Sequence, residues 1–212
     1  MAPDKFVAVI DYGMGNLRSV QKGLEKANVP AVITDKARMI NNAHGIILPG
    51  VGSFIDCMRN LEKRRLVTSI IRAISRGKPF LGICLGLQVL FSESEEFGIH
   101  PGLDVIKGKV VRFFGKGGNP GNALKVPHMG WNTITIQKRP PVLAGIPDGS
   151  YFYFVHSYYV KPDDPEIVAT TTDYGGEFTS SVWKDNIFAC QFHPEKSQKL
   201  GLSILRDFGK LI

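Results

Sequence analysis

Three residue types suited to acyl-transfer chemistry stand at positions that let them meet: Cys84, His193 and Glu195. Cys84 lies in Gly82-Ile83-Cys84-Leu85-Gly86, directly after the apolar run Pro79-Phe80-Leu81. That pattern predicts a buried strand turning sharply into a helix, with glycines where a β-carbon would clash and the thiol lifted to the C-terminal edge of a sheet. The helix is expected over residues 85–91, its free N–H groups and positive end favouring thiolate over thiol. Later, Phe188-Ala189-Cys190-Gln191-Phe192 alternates like a strand and enters His193-Pro194-Glu195. Pro194 keeps His193 out of the helical region, and in an extended segment residues two apart share a face, which brings the Glu195 carboxylate to the His193 ring. In such a set Cys84 is the nucleophile, His193 carries the proton, and Glu195 fixes the imidazole tautomer and supports its cation. Taken singly, each residue also has a plain account: a packed thiol, a strand-end histidine, a capping acid before Ser197. Their coincidence argues for chemistry on an amide or ester.

The elements that must position them can be read from apolar periodicity. Phe6-Val7-Ala8-Val9-Ile10 is a continuous apolar run suited to a central parallel strand. Leu17, Val20, Leu24 and Ala27 follow at helical spacing. Residues 31–34 and 45–48 predict two more strands, Phe54, Met58 and Leu61 a helix face, and Ile70, Ile71 and Ile74 another helix that stops near Gly77. Strands alternating with helices indicate an α/β sheet with right-handed crossovers. After the acidic stretch Glu93, Glu95 and Glu96, short strands are expected at 110–114, 133–136, 151–160 and 167–172, which makes the sheet mixed. Leu200, Ile204, Leu205 and Phe208 mark a closing helix with Ser197 as its N-cap.

Open α/β sheets bind ligands beyond the carboxyl ends of their strands, where both Pro49-Gly50-Val51-Gly52 and Cys84 fall. Attack on a carboxamide places negative charge on its oxygen. The backbone N–H of Leu85 and one from the Gly50, Val51, Gly52 segment are candidates to hold that charge, the glycines permitting peptide orientations other residues resist. An ordinary tight turn is the plain alternative for this loop. Gln88, four residues after Cys84, shares its helix face and can border a substrate.

On these residues the chain resembles the triad class of glutamine amidotransferases, in which G-x-C-x-G and a later H-P-E carry the Cys, His and Glu. Asp11-Tyr12-Gly13-Met14-Gly15-Asn16, Pro49-Gly50-Val51-Gly52, Pro127-His128-Met129-Gly130-Trp131-Asn132, Phe154-Val155-His156-Ser157-Tyr158 and His193-Pro194-Glu195-Lys196-Ser197 are similar to one branch, the glutaminase subunits of imidazole glycerol phosphate synthase. The resemblance implies a flavodoxin-like fold, an open, mixed and mostly parallel sheet flanked by helices, in a single amidotransferase domain over residues 1–212. It implies hydrolysis of glutamine to glutamate and ammonia, with no cofactor and no metal. It implies that Ser157 and Tyr158 hold the glutamine amino and carboxylate groups, and that the 50–52 loop supplies its oxyanion donor only in an active conformation. Asn16, Trp131, Tyr153 and Lys196 match positions facing a (βα)8-barrel cyclase, the partner in a heterodimer. That cyclase uses the ammonia to convert PRFAR into imidazole glycerol phosphate and AICAR, a step of histidine biosynthesis. For Trp131 a core position is the competing reading. Two other functions stand beside this one: the glutaminase of another synthase, such as that for pyridoxal phosphate, and a stand-alone cysteine hydrolase. His128-Met129-Gly130-Trp131-Asn132 argues against the former.

Composition fits one well-buried domain, with 212 residues of which 43% are hydrophobic. Cys57, Cys84 and Cys190 cannot all pair, and no Cys/His spacing matches a zinc site, which points to a reducing cytoplasm with Cys57 and Cys190 as packing residues. Residues 1–5 are short and polar, and no apolar run approaches the roughly 18 residues of a membrane span, so neither targeting nor membrane insertion is expected. The net charge of +7 comes from scattered cations without interleaved aromatics, which argues against nucleic-acid binding. Lys107, Lys109, Arg112, Lys116 and Lys125 run without an intervening acid through the glycine-rich 115–121. A solvated surface loop is favoured there over partner docking or attraction of an anionic ligand.

Overall fold

Four apolar residues with no polar interruption, Val7–Ile10 (β1), can be satisfied only by burial on both faces, and β1 indeed lies between two parallel neighbours. The computed structural model describes residues 4–114 and 124–212. The neighbours are β2 (Ala31–Thr34) and β3 (Gly45–Gly50). Beyond β3 lie β4 (Phe80–Cys84) and then, from the far end of the chain, β14 (Ile187–Cys190), all parallel. Helices cross over on both faces: α1 (Leu17–Lys26), α2 (Ala37–Asn42), α3 (Phe54–Lys63), α4 (Val67–Ser75) and the C-terminal α6 (Gln198–Gly209). Alternate residues of β1 split between two apolar layers, Ala8 and Ile10 joining Phe54, Leu61 and Ile70, while Val7 and Val9 join Leu24, Ile204 and Phe208. Ile71 belongs to neither layer and is 39% exposed, so α4 buries Ile70 and Ile74 without it.

The helix expected over 85–91 is a single turn, α5 (Leu85–Gln88), followed by strand β5 (Phe91–Ser94). The Val89 carbonyl accepts from Leu103 N and the Leu90 carbonyl from Val105 N and Ile106 N, so these groups are committed to a sheet rather than to a further helical turn. One turn offers little of the dipole that a longer helix would direct at the sulfur.

The antiparallel half contains β6 (His100–Pro101), β7 (Ile106–Arg112), β8 (His128–Thr133), β9 (Thr135–Ile136), β10 (Tyr151–His156), β11 (Tyr158–Pro162), β12 (Val168–Asp173) and β13 (Glu177–Lys184). The expected strand at 151–160 breaks at Ser157: β10 pairs with β8 in a separate two-stranded sheet, while β11 joins β7 and β13 in the main one. The expected strand at 133–136 is likewise divided between β8 and β9, and that at 110–114 begins earlier and ends at Arg112. Glycine-rich 115–121 lies outside the described residues, and with it the reading of that segment as a surface loop. Among the described residues no helix is long and apolar enough to cross a membrane.

Candidate active site

Cys84 closes β4 at φ +55° and ψ −106°, a conformation that a residue with a β-carbon adopts at a cost of about 1–3 kcal/mol. Its neighbours make the turn possible. A β-carbon on Gly86 would lie 1.8 Å from the Leu48 carbonyl oxygen, so only glycine lets α5 press against β3. The close approach puts the Cα of Gly50 in register with that of Cys84, and the 50–52 loop beside the thiol. All three cysteines are free and buried, Cys57 and Cys190 inside the apolar layers.

His193 is extended, as Pro194 requires, but Glu195 belongs to a 3-10 turn, Pro194–Lys196, rather than to the expected extended segment. Proline at the start of the turn supplies a preset φ and lacks an N–H that would otherwise be unpaired there. The pairing survives: His193 Nδ1 and Glu195 Oε1 are 2.8 Å apart, each side chain 2% exposed. Ser197, expected as the N-cap of α6, makes no capping bond; its hydroxyl donates to the His193 carbonyl (2.7 Å) and accepts from Tyr153 N (3.0 Å). His193 N donates to the Tyr153 carbonyl as well, so the histidine is clamped to β10.

Burial acts to lower the His193 pKa, yet the charge of the Cys84 sulfur and the Glu195 carboxylate raise it to about 10. The imidazolium form of His193 is thereby favoured. Among the described residues, buried His193 Nε2 makes no well-aligned hydrogen bond, although the Cys84 sulfur acts on the ring electrostatically.

Both residues open on one cavity of about 270 Å³, whose wall also includes Val51, Gly52, Leu85, Gln88, Ser157 and Tyr158. Gly50 lies behind this wall, in register with Cys84, and Glu195 lies behind His193. Gln88 turns its amide inward to the Tyr158 carbonyl (2.9 Å) and to Gln191 (3.0 Å).

Sequence reading missed Glu96, His156 and Gln191. Glu96 also lines the cavity; its Oε2 accepts from Phe54 N at 2.6 Å, and burial raises its pKa. Its only signal was membership of an acidic stretch. His156 forms part of the wall and is hydrogen-bonded to buried His128. Gln191 reaches the Cys84 sulfur from behind, Nε2 to Sγ 3.5 Å. Its place two residues before His193 was the available hint.

Of the four residues matched to a partner surface, three form a cluster. Trp131 meets the Tyr153 ring edge-on, and the Lys196 ammonium lies 5.6 Å from the centre of that ring. Trp131 is 46% exposed, which sets aside the core reading. Asn16 instead caps α1, accepting from Ser19 N.

Residues 8–211 match the family described as glutamine amidotransferase class-I. The chain is 56% identical over 205 residues to the imidazole glycerol phosphate synthase subunit HisH of Geobacter sulfurreducens, covering 97% of this chain and 98% of the relative. It is 51% identical over 201 residues to the HisH subunit of Aquifex aeolicus, covering 94% of each. Among solved structures, a putative GMP synthase protein from Thermoplasma acidophilum superposes with a TM-score of 0.70 at 19% identity, over 100% of this chain and 95% of that one. At that identity the likeness speaks for the fold alone, an α/β sheet flanked by helices. With matches spanning nearly its whole length, the chain belongs to the class-I glutamine amidotransferases, and within them to the HisH subunits of imidazole glycerol phosphate synthase.

Proposed function

We propose that this chain, as one amidotransferase domain over residues 1–212, hydrolyses glutamine to glutamate and ammonia for histidine biosynthesis. The observation that carries the reading is buried His193, held by Glu195 on its Nδ1 side, opening on the same cavity as Cys84. The Cys84 sulfur attacks the carboxamide carbon, forming the C–S bond and an oxyanion. The N–H groups of Leu85 and Val51 hold that oxyanion, each donor worth about 3 to 4 kcal/mol. His193 Nε2 then gives its proton to the departing nitrogen, ammonia leaves, and a thioester remains. A water that loses its proton to His193 Nε2 attacks the thioester, the C–S bond breaks, and glutamate leaves with the Cys84 sulfur restored. Glu195 holds the ring on Nδ1 throughout. Glu96 presents a carboxylate to the amino group of glutamine, and Ser157 and Tyr158 complete the grip.

Ammonia passes to a (βα)8-barrel cyclase bound at the Trp131, Tyr153 and Lys196 cluster and at Asn16, which converts PRFAR into imidazole glycerol phosphate and AICAR. Exposed Trp131, with half-buried Tyr153 and Lys196 packed beside it, suits a partner surface.

The test is Cys84→Ala assayed in the complex. Glutamate release should vanish, whereas the cyclase reaction supplied with free ammonia should continue, because the second step belongs to the partner. Glutamate release near the parent rate would overturn the assignment.

A further inference from the structure

Gln191 is fully buried between the end of β14 and His193, and it is not part of the cavity wall. The orientation of its amide follows from one fixed acceptor. The Tyr158 main-chain oxygen can only accept, so the nitrogen end of Gln88 faces it at 2.9 Å. The same Gln88 Nε2 lies 3.0 Å from Gln191 and therefore meets the oxygen end of that amide. What remains to face the sulfur, at 3.5 Å, is Gln191 Nε2 with its hydrogens. Two amides in series thus carry the polarity of a single carbonyl to Cys84.

The sulfur also has electrostatic neighbours in His193, Tyr12 and Cys190, and the Val155 carbonyl lies 3.9 Å from it. A thiol can donate to that oxygen, but a thiolate has nothing to donate, which leaves the Gln191 N–H as its attractive partner on this side. We propose that Gln191 is the positioning residue of the nucleophile: its amide N–H donates to the Cys84 sulfur, aims it at the cavity and supports its charged form, and Gln88 locks the amide in that orientation. The proposal rests on Cys84 being the nucleophile.

The experiment measures alkylation of Cys84 by iodoacetamide across pH in the full-length chain, followed by intact mass, with Cys84→Ala as the blank. Gln191→Met keeps length and removes the donor; Gln191→Glu keeps shape and sets a carboxylate against the sulfur. The midpoint of the rate profile should move up by about one pH unit in Gln191→Met, the size expected for loss of a hydrogen bond to a charged group, and further in Gln191→Glu. In the complex, kcat should fall about tenfold with KM within about twofold, because Gln191 does not touch the cavity. An unchanged profile in a Gln191→Met chain that melts like the parent overturns the proposal. Independently of any Gln191 variant, the side-chain amide resonance of Gln191 should shift in Cys84→Ala, and a resonance that stays in place overturns it too. If instead the parent Cys84 resists alkylation, or Cys84→Ala still hydrolyses glutamine, it is the glutaminase reading that fails.

Discussion

His128 Nδ1 and His156 Nε2 stand 3.0 Å apart inside a box formed by Phe113, Phe154, Tyr174 and Phe178. The direction of that bond can be worked out. The Tyr158 carbonyl accepts from His156 Nδ1, which leaves His156 Nε2 as an acceptor for His128 Nδ1–H. His128 Nε2 then accepts from Asn132 Nδ2, whose other hydrogen goes to the Asp173 carbonyl. Every group is satisfied with both rings neutral and protonated on Nδ1. The chain of bonds ties β8, at the expected partner face, to the Tyr158 carbonyl beside the cavity that Cys84 and His193 line.

An acid-sensitive fold follows. Burial lowers the pKa of His128 to about 4 and that of His156 to about 3, the latter also repelled by His128 and His193. Both folded values lie below the unfolded value near 6.5, so below that pH the unfolded chain binds more protons and stability falls as pH drops toward 4 and then 3. Each histidine contributes a slope of up to about 1.4 kcal/mol per pH unit in this window. Urea titrations between pH 7 and 4.5 should show it, and His156→Asn, though less stable at pH 7, should lose stability more gradually. Parallel curves for parent and variant would contradict the account.

The proposed roles of His193 and Glu195 predict an order of damage. His193→Asn removes the proton carrier and should lower glutamine turnover by at least about 10³-fold, while Glu195→Gln keeps an oxygen able to accept from Nδ1–H and should cost about 10- to 100-fold. Kinetics of both variants in the partner complex decide it. A more damaging Glu195→Gln would point to the carboxylate as the base.

Much of this was legible in local patterns, because the parallel core uses continuous apolar runs and the turn at Cys84 has glycines that no other residue can replace. What was not legible depends on pairing across long separations. Helix and strand compete over Val89-Leu90-Phe91, and the outcome is set by the 103–106 backbone, which no local signal reveals. Ser157 looks like a strand residue until β10 is known to belong to a different sheet from β11. Ser197 looks like a cap because a hydroxyl precedes a helix, yet it is spent on Tyr153 and His193. Gln191 and Glu96 carry ordinary polar side chains, and only folding brings one to the sulfur and the other to the cavity.

Two glycines should fail in different ways. An alanine at Gly86 would drive its β-carbon into the Leu48 carbonyl, and since main chain cannot give way, a loss of stability of about 3 kcal/mol or more is expected. At Gly50 a β-carbon would meet the Leu85 β-carbon and the Tyr12 hydroxyl, each at 2.7 Å, so the strain falls on the proposed oxyanion donors. Gly50→Ala should therefore reduce kcat more than it reduces melting temperature. Thermal melts and steady-state rates on both variants check the contrast, and a Gly50→Ala chain with parental kcat would remove the 50–52 loop from the reaction.

The isolated chain should be a poor glutaminase, and barrel partner plus nucleotide should raise its activity by orders of magnitude, mainly in kcat. The motive lies in the loop next to the thiol. Gly52 stands at φ +96°, a region that residues with side chains resist, while Val51 is 37% exposed at the cavity wall. The Gly50–Val51 peptide, with glycine on one side and Gly52 just beyond Val51, can rotate at little cost to present the Val51 N–H, and a donor aligned only in the transition state raises turnover rather than affinity. Gly52→Ala gives an independent check. A β-carbon there would meet the end of the Met14 side chain, which can move, but the backbone strain of about 1–3 kcal/mol at positive φ cannot be relieved that way. The activated rate should fall by roughly ten- to a hundredfold as the loop abandons this geometry, with glutamine KM little changed. Full turnover by the chain alone would eliminate the gating role of the loop, and an unaltered activated rate in Gly52→Ala would show that rotation occurs elsewhere.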